Sequence, residues 1–277
     1  HGNGSKATWA ILKTNAPTNW RAQAWHLTKH KRAWIAYVCT RWHSRLMMNN
    51  DPLLMIPGMM CDARLFTPQI DMFSHDRMIV VAPLVGDTIT EIATRILDQA
   101  PLRFALAGLS MGGIVAMEMW AQAPDRISQI ALLDTNPKAE HPKVAVGREP
   151  QIAAALAGDL RRVMRDEMKP NYLADGPTQG AVLDMCMSMA ETLGPDAFVR
   201  QSRALQTRPD QQNALRGVTV PGLVLCGADD TLCPIHRHEL MADLIPNATL
   251  TIIPNAGHLP TLEQPDLTNK AILQWLT

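Results

Sequence analysis

The sequence predicts an α/β fold, a mostly parallel sheet flanked by helices and interrupted once by a helical insertion. Three observations carry this. Short, near-continuously apolar runs alternate with stretches whose apolar residues recur at helical spacing, as expected of strands buried on both faces and joined by crossover helices. The alternation stops between Lys138 and about Val218, where no convincing strand occurs. The chain of 277 residues is 47% hydrophobic and 19% charged, enough for one sizeable core with an elaboration.

Strands are expected at Leu53–Ile56, Met78–Ala82, Arg103–Ala107, Ile127–Leu133, Gly222–Cys226 and Thr249–Ile253. Helices are expected at Ala63–Phe73, Thr88–Gln99, Met111–Gln122, Pro234–Leu244 and Asp266–Leu276. Residues 47–137 and 219–277 would then form the two parts of the core. Between them, residues 138–218 read as helices cut by Gly158, Pro170, Gly176-Pro177, Gly194-Pro195 and Pro209, a segment expected to roof the carboxyl edge of the sheet as a lid.

Residues 1–46 read differently. The first 50 residues hold eight basic side chains, no acidic one and five of the seven Trp, while the formal net charge of the whole chain is zero. The remainder therefore carries 18 basic and 26 acidic residues, a balance of −8. The opening His1-Gly2-Asn3-Gly4-Ser5, and Met47-Met48 just before the first strand, suggest a tag-like, cloning-derived or targeting-like extension that is dispensable. Its basic, Trp-rich composition suits nucleic acid, but it holds no recognisable motif. His26 and His30 lie one helical turn apart without a third ligand, which favours surface histidines over a metal site.

Overall neutrality points away from nucleic-acid and anionic-membrane partners. No run approaches the roughly 18 apolar residues of a membrane span. Five cysteines (Cys39, Cys61, Cys186, Cys226, Cys233), an odd number with no Cys-x-x-Cys pair, argue against a disulfide framework and for a reducing, cytoplasmic compartment. A monomer or small homo-oligomer is expected.

The chemistry begins at Phe104-Ala-Leu-Ala-Gly-Leu-Ser-Met-Gly-Gly-Ile114. Here a strand-like run turns directly into a helical pattern, and Gly108 and Gly112 flank Ser110 at two residues' distance. Such a joint lifts a serine hydroxyl clear of the sheet at a helix N-terminus. A serine hydroxyl needs a base, and the base needs an orienting carboxylate. Asp229 and Asp230 follow the strand ending at Cys226, and His258 lies in a glycine-flanked loop after the last strand. Asp134, after another strand, is a third possible acid. The spacing Gly227-x-x-Asp230-x-x-x-Pro234 favours Asp230, at the end of the turn before a proline-opened helix. An oxyanion would take backbone N–H donors from Met111, at the helix start, and from Met59, in the loop after the first strand.

From about residue 50 onward the chain resembles the α/β-hydrolase superfamily, in which Ser, Asp and His follow one another in this order. Within it, the chain is similar to compact lidded carboxylesterases, among them pimeloyl-carrier-protein methyl esterases and enol-lactonases. Two departures stand out. Pro57-Gly58-Met59 occupies the place where many relatives carry His-Gly-x, which removes a side chain that often braces this loop. The stretch before Leu53 is also too short for the antiparallel hairpin usual in the family, so either Trp34–Cys39 supplies a strand or the sheet is shortened at that edge.

The resemblance implies a serine hydrolase of carboxylic esters, without metal or organic cofactor, acting on a small-molecule ester. A lactonase with the same triad is the enzymatic alternative, and a non-catalytic small-ligand receptor the alternative of another class. Methionines suggest the pocket. Met185 and Met189 share a helix face, and with Met59, Met60 and Met111 they would line an apolar acyl site for uncharged short to medium chains.

Overall fold

The computed structural model describes residues 50–277. The expectations for residues 1–46, for a strand at Trp34–Cys39, and for His26, His30 and Cys39 lie outside the described residues.

Six strands form at the expected places: β1 (Leu53–Ile56), β2 (Ile79–Val81), β3 (Phe104–Leu109), β4 (Ile127–Leu133), β5 (Gly222–Gly227) and β6 (Ala248–Ile253). They build one sheet in the order β2-β1-β3-β4-β5-β6, and every pairing among the described residues is parallel. The apolar runs do not alternate with polar residues because both faces are covered. Leu54, Ile56 and Leu106 pack into one core, while Leu53, Met55, Ala105 and Ala107 pack into the other. Among the described residues no hairpin precedes β1, and β2 is the edge strand on that side.

The strand order fixes where a site can form. From β1 the chain moves outward to β2 and then back across to β3, so the connections leaving β1 and β3 diverge. A crevice at their carboxyl ends follows from this reversal.

The helices follow the expected positions with small shifts at their ends. A 3-10 turn, Ala63–Phe66, leads into α1 (Thr67–Phe73). In α2 (Ile89–Gln99) the Thr88 hydroxyl caps the first turn by accepting the Glu91 N–H at 3.1 Å. The core helix α3 (Met111–Gln122) is buried along ten of its twelve residues, as its almost wholly apolar sequence requires.

Between β4 and β5 the insertion is helical: α4 (Pro142–Ala154), irregular helical turns to Asn171, then α5 (Gln179–Gln206) and a short helix, Gln212–Arg216. The expected glycine breaks occur within it, with Gly158 at φ 96° and Gly194 at φ 78°. Two core helices complete the fold, α6 (Ile235–Leu244) and α7 (Pro265–Leu276). None of the described helices is long and apolar enough to cross a membrane. Cys61, Cys186, Cys226 and Cys233 are unpaired thiols.

Candidate active site

Ser110 sits between β3 and α3 at φ 55° and ψ −117°, a strained conformation for a residue with a side chain. Backbone proximity dictates its neighbours. A Cβ on Gly112 would lie 2.0 Å from the Ile56 carbonyl oxygen, so only glycine lets α3 start this close to β1. The elbow is pinned from β4, where the Ser110 N–H donates to the Leu133 carbonyl at 2.9 Å and the Thr135 hydroxyl donates to the Ser110 carbonyl at 2.7 Å. Thr135 is held in turn: its N–H donates to Nε2 of His238 on α6 at 3.1 Å. Burial lowers the His238 pKa to about 4, so the ring stays a neutral acceptor.

The loops after β5 and β6 bring two further groups to Ser110. His258 Nε2 lies 2.8 Å from Ser110 Oγ, and His258 Nδ1 lies 2.8 Å from Asp230 Oδ2. Gly227 permits this approach, since a Cβ there would stand 2.0 Å from the Gly257 carbonyl oxygen. Asp230 Oδ1 accepts the Leu232 and Cys233 N–H groups at 2.8 and 3.0 Å. Burial pushes the Asp230 pKa up. The His258 ring, as charge and hydrogen-bond donor, outweighs it together with the Cys233 N–H and Asp134, and holds the carboxyl below the ordinary aspartate value. Among the described residues neither of the other two candidate acids hydrogen-bonds His258. Asp229 is exposed, and Asp134 is fully buried at φ 43°, accepting the Gly227 N–H at 2.9 Å. Burial first, and then the charge of Asp230, drives the Asp134 pKa well above the usual range.

Ligand atoms of Asp230, Cys233 and His258 also fall within 4.8 Å of one another. Two of these groups already satisfy each other, and the Cys233 thiol is held protonated by burial, so the set is poorly suited to a cation.

Met59 and Met111 both line the cavity beside Ser110. Among the described residues neither of their N–H groups has an acceptor within the chain. The bracing side chain missing at Pro57 has a counterpart in the insertion, where buried Gln201 on α5 accepts the Met60 N–H at 2.8 Å.

Comparisons with known proteins identify the family. The profile described as "Alpha/beta hydrolase family" matches residues 70–271. The chain belongs to the alpha/beta hydrolase family. It is 28% identical over 198 residues to a Mycobacterium tuberculosis protein named as non-heme bromoperoxidase BpoC, covering 69% of this chain and 73% of that one. It is 24% identical over 233 residues to a pimeloyl-acyl-carrier-protein methyl ester esterase of Legionella pneumophila, covering 78% of this chain and 91% of that one. A thermophilic esterase from Thermogutta terrifontis superposes with a TM-score of 0.70 at 25% identity, over 81% of this chain and 89% of that one. The enol-lactonase from Burkholderia xenovorans superposes at 0.74 with 21% identity, over 82% and 92%, a likeness of fold.

Like these relatives in fold, this hydrolase has a cavity at the carboxyl edge of its sheet, of about 810 Å³, containing Ser110 and His258. Its lining departs from the methionine-rich, uncharged pocket expected from the sequence. Met60, Met185 and Met189 are not among the lining residues. Met60 is fully buried, at φ 58°, behind the loop whose Met59 faces the cavity. Met189 is also fully buried, its sulfur 3.4 Å from the Asp62 N–H, and half-buried Met185 packs against the core that holds Cys186 and Tyr172. The two-residue turn at Met59-Met60 explains Met60: consecutive side chains in so tight a turn diverge. Met168, from the irregular part of the insertion, lines the cavity instead. So do Arg148, Arg208, Arg237 and Glu140, and the cavity is not free of fixed charge.

Sequence reasoning also passed over Glu263. Its Oε2 accepts the Ala174 and Gly257 N–H groups at 2.8 and 2.9 Å, and its Oε1 accepts the Leu259 N–H at 2.9 Å. The loop is thus gripped on both sides of His258, and the His258 N–H donates to the Tyr172 carbonyl of the insertion at 2.6 Å. The available signal was an acid on the one-turn helix Pro260–Glu263, which returns beneath that loop.

Proposed function

We propose that this protein is a serine hydrolase that cleaves carboxylic esters of short to medium acyl chains through an acyl-enzyme. The observation that carries the reading is the unbroken relay from Ser110 Oγ through His258 to Asp230, with two 2.8 Å contacts at the start of a helix. Ser110 Oγ attacks the ester carbonyl while His258 Nε2 takes its proton, and Asp230 stabilises the resulting imidazolium. The tetrahedral oxyanion is received by the Met59 and Met111 N–H groups, and the helix dipole of α3 adds positive potential there. His258 returns the proton to the departing alcohol. Water then attacks the acyl-enzyme by the same route, releasing the acid. The helical insertion serves as the lid over this site.

The test is turnover of p-nitrophenyl acetate, butyrate and hexanoate, with a lactone panel beside them and Ser110→Ala as the blank. Ester turnover lost in the variant supports the reading. Lactone opening without ester cleavage, or turnover persisting in Ser110→Ala, would displace it.

A further inference from the structure

The proposed ester cleavage makes no use of the charged part of the cavity wall. Beside Ser110 the wall is apolar, with Met59, Ile114 and Leu259. The same cavity holds three guanidinium groups: Arg148 on α4, whose Nη1 lies 4.0 Å from the Met59 sulfur, Arg208 just beyond α5, and Arg237 on α6. Glu140 is the acid among them. Arg148 Nη2 lies 2.9 Å from its Oε2, and Arg208 Nη2 lies 3.3 Å from its Oε1. These side chains are largely withdrawn from solvent, at 14% exposed for Arg148, 11% for Arg208 and 5% for Glu140.

One carboxylate cannot neutralise three guanidiniums. Arg237 makes no ion pair among the described residues, and neither its Nε nor that of Arg208 has a hydrogen-bond partner. Burial, together with the charges of Arg148 and Arg237, lowers the Arg208 pKa, against the pull of Glu140. An arginine nevertheless stays protonated in proteins. The remaining acids do not restore balance. Glu167 is engaged by Arg162 at 2.8 Å and Asp230 by His258, Asp210 is exposed so that solvent screens its charge, and Lys138 adds another cation to the wall. Uncompensated cations in a partly enclosed cavity are costly unless an anion joins them.

We propose that this wall is a subsite for a carboxylate, so that the preferred ester carries a free carboxylate at the far end of its chain, as in the half-esters of dicarboxylic acids. The guanidinium fork matches a carboxylate in plane and spacing. This rests on the serine-hydrolase reading and sharpens it, because the ester would be anchored at one end by charge and attacked at the other by Ser110.

The experiment compares monomethyl succinate, glutarate and adipate with their terminal amides, which match them in shape but are neutral. Wild-type kcat/KM is expected to be at least ~10-fold higher for the half-ester of best length, the low end for a charge-assisted hydrogen bond. That best length measures the reach from Ser110 to the arginines. In Arg237→Gln the half-ester to amide ratio should collapse toward one, and in Arg237→Lys it should fall part-way. A merely structural defect would lower both substrates together and leave the ratio standing. Raising NaCl to 0.5 M should narrow the ratio. A wild-type ratio at or below one, or a ratio unmoved by Arg237→Gln, overturns the subsite while the serine-hydrolase reading stands. If no ester is cleaved, it is that reading that fails, and calorimetric titration with glutarate then decides the subsite. Binding weakened ~10-fold by Arg237→Gln supports it, and absent or unchanged binding overturns it.

Discussion

The carboxyl edge of the sheet and the helical insertion build the same cavity by different means. At the sheet edge each reactive group sits a few residues past a strand, held by backbone. Ser110 follows β3 directly, Asp230 comes three residues after β5, and His258 comes five after β6. The insertion acts across long sequence separations. Gln201 reaches the Met60 N–H over 141 positions, and the Tyr172 carbonyl receives the His258 N–H. Each reactive residue is thus placed by its own strand end, even where partners meet across 148 positions as Ser110 and His258 do, while the character of the cavity depends on side chains of the insertion.

The largest effect that could break this contrast lies at the sheet edge. Ser110→Ala and His258→Ala should each lower kcat for any ester substrate by ~10⁴-fold or more, Ser110→Ala with an unchanged thermal midpoint and His258→Ala with a lowered one, since it leaves the buried Asp230 unpaired. Asp230→Asn should approach that loss, since Asp230 is the carboxylate on His258 Nδ1. Asp229→Asn, at an exposed position, should stay within ~2-fold of wild type. Steady-state kinetics on the four variants checks the ranking, and a loss in Asp229→Asn as large as in Asp230→Asn would reassign the acid.

The insertion offers a smaller effect of another kind. Gln201→Ala strands a buried N–H at Met60 and should cost ~1–3 kcal/mol of stability in urea titrations. Because Met59 sits on the same loop, kcat should also fall several-fold, with KM changing less. Equal stability in Gln201→Ala would mean that the loop after β1 holds itself, and that the insertion serves only as a cover.

These differences explain what could be read from the sequence. The six strands and Ser110 with its flanking glycines were legible because each is a local pattern, apolar period or turn chemistry, without reference to distant partners. The methionines were misread for the same reason. Helical spacing correctly groups Met185 and Met189, but not what that face meets, and both side chains pack into the core without reaching the cavity lining. Arg148, Arg208 and Glu140 look like ordinary surface charges in the sequence. Only the packing of α4 against α5 draws them together. Glu263 escaped because its partners are three backbone N–H groups, which no side-chain pattern announces.

Asp134 sharpens the contrast with the smallest effect, because it belongs to the sheet edge yet is governed by burial. As a neutral acid it can donate to Asp230 while its other oxygen accepts the Gly227 N–H. Around it stand Asp230, Cys226, Cys233 and Glu263, with His238 beyond, a setting that disfavours a second negative charge. The sign of the pH dependence follows. In the unfolded chain Asp134 ionises near pH ~4, whereas in the folded chain its raised pKa keeps the proton. Its contribution to stability is therefore fully present below pH ~4 and is lost progressively as pH rises toward the folded pKa. Asn keeps a neutral donor and an acceptor, tolerates φ 43°, and does not titrate. Asp134→Asn should thus be more stable than wild type at pH 8, and the gap in urea midpoint should close on approaching pH 4. Its kcat should remain within ~2-fold, since the donor to Asp230 survives. A variant less stable than wild type at pH 8, or a gap that does not change with pH, would show that Asp134 is ionised in the folded protein and that Asp230 shares its charge with a neighbour.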